Sequence, residues 1–346
     1  MRWFDYILIP FSWVYGIVLW FRNFLFDIGL KRSEKVNATV ISIGNLSVGG
    51  TGKSPHVEWL AERLMTNYHV AILSRGYGRK SKGFVKVLTT SKAHTVGDEA
   101  LYYKTRFRNA VEVAVCEKRV LGAKRLLAVH PEIDIIILDD AYQHRYLDRD
   151  VDILLTDYSR PFYRDYVLPA GRLREFRSGK KRADMVVVTK CPHLLNEADK
   201  EKIISHMKLK GGTPVYFSSI EYGEMVPFSH GLTFELPEKI LLVTGIANSR
   251  PLEDYLTKIA DVTTLRYKDH HDFTVGEIEH IHNLFDTFAE EQKCIVTTSK
   301  DFVRLKNSAC EKLMEQYPWF YQEISLQLDK EISIIEQINN YVEENK

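Results

Sequence analysis

Apolar residues along this chain follow two rhythms. From Val36 onward, short unbroken apolar runs alternate with longer amphipathic stretches. "ATVISIG", "HVAILSR", "VEVAV", "IDIIILDD", "VDILLTD" and "ADMVVVTK" are rich in Val and Ile at successive positions. A strand apolar on both sides is covered on both faces, the condition met in parallel sheets. Between several of these runs the period lengthens to that of a helix, as over residues 56–66 and 118–130. The pattern predicts an α/β fold around a parallel sheet, with ligands gathered at the strand ends. The texture changes at "FSSIEYGEMVPFSHGLTFELPEK", which is turn-rich and alternates like short ribbon strands. Beyond it, "KILLVTGIA" and "CIVTTSKD" resume the strand and helix alternation on a smaller scale. The tail "EISIIEQINNYVEE" sets Ile332, Ile335, Ile338 and Val342 on one helical face, which predicts docking to the body. The chain thus divides into an N-terminal segment (1–32), a core domain (33–216), a β-ribbon linker (217–237) and a smaller C-terminal α/β domain (238–346).

The N-terminus breaks the pattern. "MRWFDYILIPFSWVYGIVLWFRNFLFDIGLKR" is apolar and aromatic almost throughout, and Tyr6 to Phe21 carries no charge over 16 residues. Such a helix reaches roughly 24 Å, short of a roughly 30 Å hydrocarbon core. Pro10 and Gly16 are expected to weaken it. Asp5 in the basic region and the lack of an A-x-A-like site argue against a cleaved signal peptide. Trp3, Trp13, Tyr15 and Trp20 suit a headgroup zone, and Arg22, Lys31 and Arg32 suit anionic lipid, so the preferred reading is an interfacial anchor. A helical hairpin packed on the protein's own core, or a true membrane span, stays open. The formal net charge of +1 argues neither for nor against nucleic acid. Cys116, Cys191, Cys294 and Cys310, with no C-x-x-C, read as free thiols.

Chemistry concentrates first in "TVISIGNLSVGGTGKSP", a strand, a glycine-bearing loop and the start of a helix. This is the context of a phosphate loop, in which backbone N–H groups and a helix N-terminus hold phosphate oxygens. The cradle covers Ser47, Val48, Gly49, Gly50, Thr51, Gly52, Lys53 and Ser54. Lys53 would reach the β- and γ-phosphates, and Ser54 would offer its hydroxyl to Mg²⁺. Ser47 stands where the strict pattern has glycine; Gly49, Gly50 and Gly52 supply the flexibility. Val48 stands where partner-switching membrane ATPases carry lysine, so nothing supports that class. "IDIIILDDAYQH" ends a buried strand in Asp139 and Asp140, the arrangement that binds or orients Mg²⁺. In "VGDEA", Asp98 is either a general base for an alcohol or part of a capping box with Thr95. In "RYKDHHDFT", a single histidine orienting a carboxylate competes with a polar surface turn. The basic stretches "LSRGYGRKSKG" and "LPAGRLREFRSGKKR" offer Arg75 and Arg174 to a phosphorylated substrate. "VVVTKCP" is a weak echo of a base-reading loop.

Taken in order, "GNLSVGGTGKSP", "LSRGYGR", "VGDEA", "LDDAYQHRYLDRDVDILLTD", "LPAGRLRE", "DHHDFT" and "TTSKD", after an aromatic N-terminus, resemble the tetraacyldisaccharide 4'-kinases of lipid A synthesis in Gram-negative bacteria. The resemblance implies a P-loop NTPase-like core, a smaller C-terminal α/β domain joined by a β-ribbon, and an N-terminal helix dipping into the bilayer. It implies transfer of the ATP γ-phosphoryl group to the 4'-hydroxyl of a tetraacyl disaccharide 1-phosphate, at the cytoplasmic face of the inner membrane. Asp98 would be the base, paired with His270 and aided by Lys53. Ser54, Asp139, Asp140 and Glu99 would serve Mg²⁺. Arg75, Tyr77, Gln143, His144 and Arg174 would lie near substrate. Arg172, where a smaller or apolar residue is expected, departs from the pattern. The reading includes no nucleic-acid partner and takes the chain as a monomer. A P-loop kinase of a soluble metabolite and a membrane-bound nucleotide switch remain as other classes.

Overall fold

The computed structural model describes residues 3–229, 236–306 and 308–344, so residues 230–235 of the expected linker, and residues 1, 2, 307, 345 and 346 of the flanking units, lie outside it. The chain opens with α1 (Trp3–Asp27). It continues through β1 (Thr39–Asn45), α2 (Lys53–Leu64), β2 (Val70–Ser74), β3 (Val85–Lys86), α3 (Ala93–Val96), α4 (Asp98–Phe107), β4 (Glu112–Val115), α5 (Arg119–Val129), β5 (Ile135–Asp139), β6 (Val151–Asp157), β7 (Met185–Thr189) and α6 (Glu197–Met207). Then come β8 (Val215–Pro227), β9 (Lys239–Thr244), α7 (Arg250–Leu256), β10 (Asp261–Arg266), α8 (Val275–Asp286), β11 (Lys293–Thr298), α9 (Ser299–Lys306), α10 (Glu311–Met314), β12 (Trp319–Leu328) and α11 (Glu331–Glu344).

The six apolar runs of the first half are β1, β2, β4, β5, β6 and β7, and they pair in parallel as their two-sided burial requires. Among the described residues, one sheet holds twelve strands, in the order β10-β9-β11-β12-β8-β7-β6-β1-β5-β2-β4-β3. β1 lies between β5 and β6, so the chain departs to both sides of it, and the carboxyl ends of these strands open a crevice there.

Of the stretch expected as short ribbon strands (217–237), residues 230–235 lie outside the described residues, and residues 217–227 lie in one 13-residue strand, β8. Its start pairs with β7, and its length from Ser218 to Pro227 runs antiparallel to β12. That reversal positions the site. β9, β10 and β11 run parallel with β12, so they point back toward the first half. The loops after β10 and β11 therefore meet the carboxyl ends of β1 and β5. His56 ties the phosphate loop to this ribbon. Its Nδ1–H donates to the Gly52 carbonyl (2.7 Å), and its Nε2 accepts from the Ser218 hydroxyl (2.9 Å). Burial lowers its pKa to about 4, against a smaller opposing effect of the Gly52 bond, so the ring is neutral at pH 7.

The tail helix docks as expected but turned from the predicted face. Ile334, Ile338 and Val342 are buried, whereas Ile332 is 76% exposed. Positions four apart form a stripe, and Ile332 lies two residues (~200°) round from Ile334. The stripe joins Ile43, Val187 and Tyr216 in the core of the first half, and Arg63 pairs with Glu331 at 2.5 Å.

α1 is continuous for 25 residues, about 37 Å, passing through Pro10 and Gly16. Pro10 lies only about two turns from the N-terminus and removes a single donor. Gly16 is a contact point, not a weak one: a Cβ there would stand 2.4 Å from Cζ of Phe176. Ser12 Oγ accepts from Ala170 N–H (2.9 Å), Asn23 donates to Glu175 (2.8 Å), and Arg145 bonds the Asn23 carbonyl (2.9 Å) and Asp27 (2.7 Å). The opposite face is bare: Ile7, Phe11, Val14, Val18 and Phe21 are all more than half exposed. By length and composition, Ile7–Asp27 is long and apolar enough to cross a membrane. Replacing Gly16 by valine is expected to destabilise the protein by roughly 1–3 kcal/mol, because the Phe176 ring or the helix must shift. Thermal unfolding checks this, and an unchanged Tm would show that α1 is not seated on Phe176. The four cysteines are buried and free, as expected.

Candidate active site

The phosphate loop follows β1. Its left-handed φ values fall on Gly49 (108°) and Gly52 (80°), and not on Ser47. Ser47 instead makes an isolated antiparallel bridge with Leu173. This is why the strict pattern's glycine can be serine here: the position does not need positive φ. Asn45 donates to Thr51 Oγ1 (2.6 Å), Thr189 Oγ1 donates to the Thr51 carbonyl (2.9 Å), and the Val48 N–H donates to the Arg172 carbonyl (2.7 Å). Lys190, at the end of β7, bonds the Gly50 carbonyl and pairs with Asp157 at 2.9 Å. The segment "TKCP" thus braces the loop through Thr189 and Lys190.

Lys53 and Ser54 open α2 at the crevice. Asp139 and Asp140 end β5 but diverge, because Asp140 has a left-handed φ of 49°. Asp140 turns to Lys53 (3.7 Å) and is gripped by Arg174 through both guanidinium nitrogens, at 2.8 and 3.0 Å. Asp139 stays in the strand, buried, and accepts from the Tyr103 hydroxyl at 3.2 Å, while its Oδ1 has no partner. Burial, then the nearby Glu99 and Asp140 carboxylates, raise its pKa. Glu99 accepts from the Ser54 hydroxyl (2.9 Å) and pairs with Lys300 (3.2 Å); Lys300 also donates to Ser54 Oγ (2.9 Å). Burial works to raise Glu99, but Lys300, the Ser54 bond and Lys53 outweigh it and hold its pKa down.

Of the two readings of Asp98, the capping box with Thr95 does not form. Thr95 belongs to the separate turn α3, and Gly97 at the N-cap of α4 gives no side-chain cap. The Asp98 carboxylate is free for the second half. It accepts from His270 Nδ1–H at 2.9 Å and from Arg304 Nε at 2.8 Å. Burial works to raise its pKa, but these two partners hold it below the usual carboxylate range. The same bond to Asp98 raises His270 against the opposing effect of burial. Arg304 is itself fixed by Asp301 (2.6 Å) and the Gly245 carbonyl (3.1 Å). The neighbouring His271 turns away to Glu277 (2.9 Å), so the two histidines do not chelate.

The residues expected near substrate fall into two groups. Tyr77 is exposed, with its ring 5.8 Å from that of His270. Gln143, His144 and Arg174 cluster around the Asp140 turn. Gln143 Nε2 donates to the Asn45 carbonyl (2.8 Å) and to Glu175 (3.1 Å), and Arg22 of α1 donates to the Gln143 carbonyl (2.8 Å). His144 Nε2 is buried without a partner; burial, then Arg119, Arg149, Arg22 and Arg75, lower its pKa to about 4. Arg75 is exposed and joins this concentration of positive charge. Of the other basic residues, Arg79 is engaged with Glu117 (2.6 Å) and Arg182 with Glu175 (2.8 Å), so both serve the fold.

Sequence reasoning missed four residues here: Lys300 and Arg304, which reach across from α9, Arg119, whose charge acts on His144, and Glu175, which joins α1 to Gln143. "TTSKD" carried a signal in its T-x-x-D spacing: Thr298 Oγ1 bonds Asp301 (2.8 Å) and accepts from the Asp301 N–H (3.1 Å), setting the start of α9. Nothing comparable marked the other three.

The family profile of LpxK, tetraacyldisaccharide-1-P 4'-kinase, matches residues 4–343. A tetraacyldisaccharide 4'-kinase of Bacteroides thetaiotaomicron is 42% identical, over 98% of this chain and 93% of that protein. One of Cytophaga hutchinsonii is 41% identical, over 92% and 90%. The solved structure of "apo" form LpxK from Aquifex aeolicus in complex with ATP superposes with a TM-score of 0.76 at 28% identity, covering 98% of this chain and 99% of that one. With the profile spanning nearly its whole length, the chain belongs to the tetraacyldisaccharide-1-phosphate 4'-kinase family.

Proposed function

We propose that this chain transfers the γ-phosphoryl group of ATP to the 4'-hydroxyl of a tetraacyl disaccharide 1-phosphate, as a monomer on the cytoplasmic face of a bacterial inner membrane. The observation that carries the reading is the meeting of two half-sites. The phosphate loop brings Lys53 and Ser54, and the facing half brings His270 and Arg304 onto Asp98, next to Glu99 which bonds Ser54. Phosphoryl transfer asks little covalent chemistry of the protein; it asks for alignment and neutralised charge. The loop amides and Lys53 would hold the β,γ-phosphates. Asp98, ionised and oriented by His270 Nδ1–H and Arg304, would accept the proton of the sugar hydroxyl.

Ser54, Glu99, Asp139 and Asp140 fit a magnesium ion. Asp139 Oδ1 is a buried, unpartnered oxygen among crowded carboxylates, and a hydroxyl lies beside Glu99. Magnesium there would complete its coordination with phosphate oxygens and water. Bound there, it would neutralise charge developing on the phosphate oxygens.

Substrate would approach along α1. The bare face of α1 would lie in the membrane interface, while its other face holds Gln143 and Glu175. The positive charge of Arg75, Arg119 and Arg22 around His144 suits a sugar-bound phosphate, and Tyr77 stands beside His270. Arg172, the residue that departs from the expected pattern, uses its backbone to hold Val48 and leaves its side chain exposed.

The test is incubation with γ-labelled ATP alone, with ATP and a soluble deacylated disaccharide phosphate, and with ATP and the tetraacyl disaccharide 1-phosphate in mixed micelles. Label is expected on the 4'-oxygen in the last case only. Phosphorylation of the soluble sugar at an equal rate would favour a metabolite kinase, and phosphate release without acceptor would favour a nucleotide switch.

A further inference from the structure

Lys300 lies at the head of α9, in the half of the molecule that faces the phosphate loop. Its ammonium donates to Ser54 Oγ at 2.9 Å and pairs with Glu99 Oε1 at 3.2 Å. Asp139 also feels its field, and Asp139 Oδ1 is buried and unpartnered at the same place. These three residues are oxygen donors of the magnesium site proposed above. An ammonium and a divalent cation seek the same oxygens for the same electrostatic reason, and they compete for them. A magnesium ion sits at about 2.0–2.1 Å from its oxygens, so its charge would repel an ammonium hydrogen-bonded to the same hydroxyl and carboxylate.

We infer that Lys300 is a resident counter-cation: with no nucleotide bound it occupies the divalent-cation position at Ser54 and Glu99, latches the two halves together, and must leave before the ion can bind. The residue type suits that role. Lysine is a compact charge on a flexible stem, so its ammonium can withdraw by rotation of the side chain. α9 itself need not move far, because Asp301 caps it through Thr298 and Arg304 ties it to Asp98. Arg304 thereby keeps the base in place while Lys300 exchanges with the ion. The inference rests on the reading of Ser54, Glu99 and Asp139 as the cation site.

A competing internal cation lowers the fraction of protein able to bind the ion, and the apparent Kd rises by the same factor. For one charge-assisted pair that factor is roughly tenfold. The experiment titrates Mn²⁺ into the full-length, nucleotide-free protein in detergent and follows free Mn²⁺ by electron paramagnetic resonance. Wild type, Lys300→Met, Lys300→Gln and Glu99→Gln are compared, with folding checked by circular dichroism. Both Lys300 variants are expected to bind Mn²⁺ roughly tenfold more tightly than wild type, and Glu99→Gln more weakly. Equal Mn²⁺ affinity in wild type and both folded Lys300 variants, with Glu99→Gln still weakened, would overturn the role of Lys300 alone. No effect of Glu99→Gln would overturn the cation-site reading and this inference with it.

Discussion

Replacing Asp98 by alanine is expected to lower kcat by roughly 10²–10⁴-fold and to leave the KM of each substrate within about a factor of three. The asymmetry follows from what Asp98 touches. Its carboxylate bonds to His270 and Arg304, protein groups that hold it in place, and in the proposed reaction its remaining capacity would be for the proton of the attacking hydroxyl. Loss of a group that acts in the transition state appears in kcat, whereas loss of a binding contact appears in KM. The substitution leaves Arg304 with Asp301 and the Gly245 carbonyl, so its charge is not stranded and the fold is expected to persist. Asp98→Asn keeps the shape and removes the base, and it should match alanine. Initial-rate kinetics on both variants decide the matter; turnover near wild type would remove Asp98 from the chemistry. His270→Ala is expected to fall less, by about tenfold to a hundredfold, because Arg304 still orients the carboxylate.

Polar replacement of the bare face of α1 is the second large effect. Phe11, Val14, Val18 and Phe21 are each more than half exposed and lie on one stripe, away from Gly16, Ser12 and Asn23, which hold the body. Burying a large apolar side chain contributes about 1.5–3 kcal/mol. Even at half that for an interfacial helix, serine at all four positions should weaken partition onto vesicles by more than about a hundredfold. Since no bond joins these side chains to the proposed catalytic groups, turnover of substrate in detergent micelles should change far less than turnover on vesicles. A flotation assay in which the variant still rises with the vesicles would show that α1 is not the attachment.

Much of this molecule was legible from local pattern. Buried parallel strands declare themselves as two-sided apolar runs, so the strands of the first half and the crevice at their carboxyl ends were readable from Val36 onward. The phosphate loop was readable too, because its chemistry is carried by the backbone, and a glycine-bearing turn between a strand and a helix encodes a backbone shape. Asp139 and Asp140 were visible as a pair at a strand end. That they act separately was not: one left-handed φ at Asp140 sends it to Arg174 and Lys53 and leaves Asp139 in the strand.

Other features were misjudged for a definable reason. Thr95 and Asp98 have the spacing of a capping box, yet a turn ends before Gly97 and the carboxylate is drawn off by partners about 170 to 210 residues away. Ile332 has the spacing of a core position, but the docking face of α11 is chosen by the surface it meets. Pro10 and Gly16 read as weak points of a helix, while the body supplies a Phe176 ring that needs a glycine opposite.

The sequence by itself determined the elements, the nucleotide-loop chemistry, the apolar N-terminal helix and the family, because each depends on neighbours within a few residues or on motifs in a fixed order. The tertiary structure alone decided how the halves combine. The antiparallel pairing of β8 with β12 turns the second half to face the first, and only then do His270, Lys300 and Arg304 meet Asp98, Glu99 and Ser54. Contacts between residues so far apart in the chain leave no periodicity to read; they are set by strand direction and packing, which exist only once the whole sheet has formed.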